Sequence, residues 1–236
     1  ITVVSLSGGY FSMLPDAFKN TCETAVGTSI FANNFVQYIT AGDYWDTAND
    51  YKPLMHTWYL GVMLQFYVLY PLLFMACYRL SKDFAKTSRI VLLGVFALSL
   101  LFYIVPGPDT AVIFYLLPAR LFEFAAGGLL ALPAASKGEG RDGRVMAAFL
   151  FFVVVLLCVN DAYNMTKVRL LLTVALTVLI VKHSEKGSFD KISPVGQKLL
   201  SLFVPLGIAS YSLYLWHQVI LAFYRYIVNN EFTVWS

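Results

Sequence analysis

The chain has 236 residues, of which 58% are hydrophobic and only 13% charged, with a net charge of +3. A water-soluble fold carries about a quarter charged residues and could not cover this much apolar surface, so composition excludes an ordinary soluble domain. The class it indicates is all-α: a polytopic transmembrane helical bundle embedded in a lipid bilayer.

No run of Lys and Arg interleaved with aromatics suggests nucleic acid. The three cysteines, Cys22, Cys77 and Cys158, form neither a metal-type pair nor an even-numbered disulfide set, so a metal centre is not expected. The first residues look like the tail of a helix already under way. The chain is therefore expected to be an internal portion of a longer protein, forming one membrane domain over residues 1–236 with about six to eight membrane segments.

In chain order, Ile1 to Leu14 is apolar and about half a span long. Pro15 suits the first turn of the next helix. Ala17 to Phe35 is mildly amphipathic and suits a surface or re-entrant helix, ended by Asn33-Asn34. Thr40 to Lys52 is a polar loop with Asp43, Asp46 and Asp50. Leu54 to Tyr78 is the first complete span. Ile90 to Val105 is the next, closed by Pro106-Gly107-Pro108. Val112 to Leu132 follows as one span. Val145 to Val159 and Val168 to Val181 are shorter runs, and Pro205 with Gly207 is expected to divide Leu199 to Val228 into a surface piece and a last helix.

Basic residues orient the bundle. Arg79, Lys82, Lys86 and Arg89, then Lys137, Arg141 and Arg144, then Lys182, Lys186, Lys191 and Lys198 occupy alternate loops and make up 11 of the 17 basic residues. These loops are expected to face the cytoplasm, and the aspartate-bearing loop to face outward. Asn164-Met165-Thr166 matches a glycosylation sequon, a pattern too short to carry weight.

Ionisable and amide groups inside spans are costly and mark candidate sites. Arg120 and Glu123 are three apart and share a helical face, as an internal ion pair or as one wall of a substrate site. His217 shares a face with Ser210, Tyr214 and Tyr224. It is either a satisfied core histidine or a base for a hydroxyl nucleophile. Trp58 and Gln65 share a face, and Gln65 requires a partner. His56 points away from Gln65 if the helix is already regular there, or else sits in the turn at its entrance. These residues alone do not separate an enzyme from a transporter.

Several stretches then resemble a known family. Pro53-Leu54-Met55-His56-Thr57-Trp58-Tyr59-Leu60, with Gln65-Phe66-Tyr67 and Tyr70-Pro71, is similar to the PLLHTWSLSVEEQFYLLYP signature of the acyltransferase-3 family. Leu14-Pro15-Asp16 with Phe31 to Phe35, Tyr115 to Glu123, and Ser210 to His217 match its LPDEYK…LFLSNF, YYLPTRAWEF and ISYSLYLWH segments in order. Two departures stand out. Met63 and Leu64 replace the usual glutamates, and the family's first helices, with their arginine and histidine motif, would precede Ile1.

The resemblance implies transfer of an acyl group, commonly acetyl, to a hydroxyl of a cell-surface glycan such as lipopolysaccharide, exopolysaccharide or peptidoglycan. The donor would be acetyl-CoA or a similar acyl-CoA used as substrate, with no permanently bound cofactor, and the location a bacterial inner membrane. It also implies roles. His217 or His56 would orient or deprotonate the hydroxyl, Arg120 would stabilise negative charge and Glu123 would fix Arg120. Trp58, Gln65, Tyr67, Tyr211, Tyr214, Trp216 and Asn34 would line the substrate site. The rival functions are a transporter of an acyl donor or glycan, and a non-catalytic partner in polysaccharide assembly. Oligomeric state is not legible.

Overall fold

The computed structural model describes residues 1–40, 49–105, 109–132, 151, 153, 166–184 and 194–228, and among them there is no strand. The run Val145 to Val159, the loop 41–48, the sequon asparagine and the basic residues Lys137, Arg141, Arg144, Lys186 and Lys191 lie outside the described residues or nearly so. Among the described residues, three helical stretches are long and apolar enough to cross a membrane: Met55–Leu80, Phe84–Ile104 and Val204–Val228. The chain is an integral membrane protein.

It divides into two compact units. The first holds Ile1–Pro71, Gly107–Ala119 and Leu202–Ser236, and the second Leu72–Pro106 and Arg120–Ser201.

In the first unit, α1 (Thr2–Ser12) leads to α2 (Pro15–Ser29), with Pro15 at the first helical position. Leu14 is extended there, as a residue preceding proline prefers. α3 (Asn33–Thr40) follows at once, so Asn33-Asn34 begins a helix where the sequence suggested an end. The stop comes earlier, in a left-handed turn. Phe31 has φ 56°, its N–H donates to Thr28 O, and Ala32 N–H donates to Gly27 O at 2.7 Å. This Schellman pattern terminates a helix whatever residue holds the left-handed position, and a bulky Phe there is uncommon.

A 3-10 turn, Met55–Thr57, opens directly into α4 (Trp58–Leu80). α6 (Thr110–Tyr115) returns against α3. The core of this unit is Ala25, Leu54 and Val219, with Ile1, Leu6 and Phe223 packed on it. Gly61 lets α4 approach closely, because a Cβ there would meet Phe31 O at 2.8 Å and Asn34 Oδ1 at 2.7 Å.

In the second unit, α5 (Phe84–Ile104) is capped by Asp83, whose carboxylate accepts from Lys86 N–H. It packs on α7 (Leu121–Ala131), with the Phe96 and Tyr103 rings against Phe122. Ser99 on α5 accepts from the Phe122 N–H at 2.9 Å. That amide stands in the first turn of α7 and has no partner in its own helix. α8 (Thr166–Ser184) packs against α7.

Two expectations are corrected. Val112 to Leu132 is not one span: Leu116 is extended, Leu117–Ala119 is a 3-10 turn, and Pro118 lacks the N–H that a continuous helix would use. Conversely, α9 runs unbroken from Pro194 to Val228 through Pro205. A proline costs a membrane helix one rung of its ladder, which neighbouring groups can compensate, so the break read from Pro205 and Gly207 does not occur.

Candidate active site

Two of the three histidines meet in the first unit. The His56 ring lies 5.1 Å from the His217 ring and 5.2 Å from the Tyr214 ring, centroid to centroid. His56 comes from the 3-10 turn and the other two from α9. Of the two placements open for His56, the entrance turn is the one observed. Tyr214 and His217 are one helical turn apart, which puts both on the face of α9 that meets this turn.

The three are tied by backbone groups. The Tyr214 hydroxyl donates to His56 O at 2.5 Å. His217 Nδ1 lies 2.6 Å from Tyr214 O. A carbonyl only accepts, so Nδ1 carries the proton, and in the neutral ring Nε2 holds the lone pair. His217 is itself exposed on the helix. Both ring nitrogens of His56 are buried, and although the Pro53 and Leu215 backbone interacts with the ring, neither nitrogen forms a well-aligned hydrogen bond among the described residues.

The turn bearing His56 is held from behind by a polar cluster. Asn33 is fully buried, and its Nδ2 donates to Leu54 O at 3.0 Å and to Thr57 Oγ1 at 2.7 Å. Thr28 Oγ1 lies 2.7 Å from Thr57 Oγ1. Gln37 Nε2 donates to Asn33 Oδ1 at 3.3 Å. Asn33, Thr57, Thr28 and Gln37 were not singled out from the sequence. The asparagine pair that opens α3, with Gln37 one turn beyond Asn33, is the signal that polar side chains face inward there.

Gln65 has the partner it requires, for its Nε2 donates to Asn34 Oδ1 at 2.9 Å, while Asn34 Nδ2 donates to Tyr115 O at 3.3 Å. Asn34 and Gln65 thus join α3, α4 and the end of α6. The Trp58 ring packs against both Phe114 and Tyr115, at 4.9 and 5.5 Å. Tyr67, Tyr211 and Trp216 are exposed on α4 and α9.

In the second unit, Arg120 precedes α7 and Glu123 lies in its first turn. Arg120 Nη1 donates to Glu123 Oε1 at 2.9 Å, and both side chains are largely buried. The carboxylate also sits favourably at the positive end of the helix. Among the described residues, no three His, Cys, Asp or Glu side chains gather so as to hold a metal ion.

The pattern described as the acyltransferase domain of the acyltransferase-3 family matches residues 3–236. The chain belongs to the acyltransferase-3 family. Among its relatives, the "Putative peptidoglycan O-acetyltransferase YrhL" of Bacillus subtilis is 26% identical over 215 residues, 84% of this chain and 33% of its own. Peptidoglycan O-acetyltransferase OatA of Listeria monocytogenes is 26% identical over 239 residues, 94% of this chain and 37% of its own. An uncharacterized protein of Haemophilus influenzae is 27% identical over 185 residues, 72% of this chain and 73% of its own. The chain thus spans about a third of the length of the two named O-acetyltransferases. No solved structure matches it. In this family member, the HTW turn and the SLYLWH helix are the elements that bring His56 and His217 together.

Proposed function

We propose that this chain forms the membrane-embedded part of an O-acyltransferase. It moves an acyl group, acetyl in the first instance, from a cytoplasmic acyl-CoA thioester to a hydroxyl of a peptidoglycan-type glycan outside a bacterial cytoplasmic membrane. The observation that carries the proposal is the juxtaposition of His56 and His217. Family membership and the names of the two O-acetyltransferases support the reaction class and the acceptor. The basic loop around Arg79 to Arg89 suits a phosphate-bearing donor.

In this proposal His217 Nε2, freed by the Nδ1 bond to Tyr214 O, takes the proton of the sugar hydroxyl as its oxygen attacks the thioester carbonyl carbon. The new C–O bond forms and the C–S bond breaks. The proton then passes from His217 to the departing thiolate, which leaves as a free thiol. His56, whose ring nitrogens form no well-aligned hydrogen bond among the described residues, donates an N–H to the oxyanion of the tetrahedral intermediate. Tyr211 and Trp216 offer aromatic faces to a sugar ring. Arg120, balanced by Glu123, is assigned to an anionic or carbonyl group of a substrate within its own unit.

The test uses the whole protein in sealed inside-out vesicles with its glycan enclosed and labelled acetyl-CoA outside. Label should appear in the glycan and fall by about 10²–10⁴-fold in His217→Ala, with insertion unchanged. Full labelling in both His217→Ala and His56→Ala would remove the histidine pair from the reaction. Loss of acetyl-CoA with no labelled glycan would point to donor transport instead.

A further inference from the structure

We infer that Asn33 and Thr57 are positioning residues that set the placement of His56 for acyl transfer. The inference rests on the assignment of His56 to that reaction.

The His56 ring nitrogens form no well-aligned hydrogen bond among the described residues, so the ring is placed by its backbone together with its contacts to the Tyr214 and His217 rings. That backbone lies in a 3-10 turn, whose hydrogen bonds have poorer geometry than those of an α-helix. Here they are Met55 N–H to Lys52 O at 3.3 Å, Thr57 N–H to Leu54 O at 3.1 Å and Trp58 N–H to Met55 O. Left to itself, such a turn would drift.

Outside groups hold it on both sides of His56. On the N-terminal side, Leu54 O accepts from Asn33 Nδ2 and from Thr57 Oγ1, the latter at 2.8 Å. On the C-terminal side, Thr57 Oγ1 accepts from Asn33 Nδ2 and is bonded to Thr28 Oγ1. The His56 carbonyl itself is held by Tyr214. Asn33 therefore bridges the residues that flank His56, and Gln37 fixes the Asn33 amide by its other end.

An apolar contact would bury the same surface. It would not fix the direction of the Leu54 peptide, because only hydrogen bonds carry that angular preference. Asn33 is fully buried, and both ends of its amide are engaged within the cluster. Its part in the reaction is accordingly to act through His56.

The test compares Thr57→Val, which keeps the shape and loses the hydroxyl, with Thr57→Ser, which keeps the hydroxyl, in the whole protein in vesicles. Displacement of a reacting group by an ångström costs up to about a hundredfold. Thr57→Val should therefore lower kcat per folded molecule by roughly ten- to a hundredfold, with KM for the glycan unchanged. Thr57→Ser should restore it. A merely structural role would lower the amount of folded protein and leave kcat per folded molecule as it was, which would overturn the inference.

If Thr57→Val does not insert, Thr28→Val removes one arm of the clamp and should show the same kcat loss in smaller measure. Unchanged kcat there counts against the clamp. His56→Ala separates the two levels. Activity in His56→Ala defeats the catalytic assignment itself. Inactive His56→Ala beside fully active Thr57→Val defeats the clamp alone.

Discussion

The Tyr214 hydroxyl donates to the carbonyl of His56, and through that bond α9 grips the turn that carries the second histidine of the pair. Tyr214 thus acts twice through one residue: its backbone carbonyl fixes the His217 tautomer, and its side-chain hydroxyl fixes the His56 backbone. Tyr214→Phe keeps the first and removes the second. The expected result is about a tenfold loss of kcat with a stability loss of about 1 kcal/mol, the value of one hydrogen bond. Acetyl transfer and unfolding in detergent, measured on the same preparation, check both numbers.

The Arg120–Glu123 pair should behave as a buried ion pair does. Glu123→Gln leaves a largely buried guanidinium without its countercharge and should cost about 3–5 kcal/mol. Replacing both residues by apolar ones of similar volume should recover most of that stability. Transfer activity should stay absent in the double variant if Arg120 meets substrate, and return with stability if the pair only joins the fold.

Gly61→Ala should destabilise the first unit by about 1–3 kcal/mol, because the added methyl meets a backbone oxygen, Phe31 O, as well as the Asn34 side chain. Gly94 offers the control, since nothing lies within 4 Å of a Cβ there. Gly94→Ala should be neutral or mildly stabilising in the same unfolding assay.

Gln65→Leu should cost roughly 1–3 kcal/mol by leaving Asn34 Oδ1 buried without its donor. A double-mutant cycle with an Asn34 variant should show the two effects to be coupled. Additive effects would mean that the 2.9 Å bond contributes little in the membrane.

Phe31→Gly should stabilise the turn between α2 and α3 by about 0.5–1 kcal/mol. The left-handed conformation at φ 56° is costly for Phe and free for Gly, and 46% of the Phe31 surface is already exposed. Part of the gain is offset by the greater freedom of Gly in the unfolded chain. A measured loss would mean that the Phe31 ring packs for more than its backbone costs.

Composition alone assigned the chain to the membrane, and apolar run length located α4, α5 and α8 closely. Pro15 and the Arg120–Glu123 spacing were legible because their causes are local. The HTW and SLYLWH stretches each marked a histidine, but nothing in either said that the two rings lie side by side. Spacing along a helix tells which residues share a face and not which face of another helix it meets. The asparagine pair was misjudged for a related reason. A helix stop built on a backbone conformation at Phe31 leaves no Gly or Pro to mark it. Pro205 erred the other way, as a strong local breaker overruled by the helix around it.

α9 is longer than the span it contains. Residues 194–203 precede the apolar stretch Val204–Val228, and at 1.5 Å per residue they add roughly 15 Å of helix ahead of it. Pro205 removes one rung where the two portions join, which is where such a helix flexes most readily. Tyr214 and His217 stand roughly two and a half turns or more beyond that point. The proline of this helix is therefore set apart from the histidine pair, and a bend there leaves the turn from Tyr214 to His217 intact.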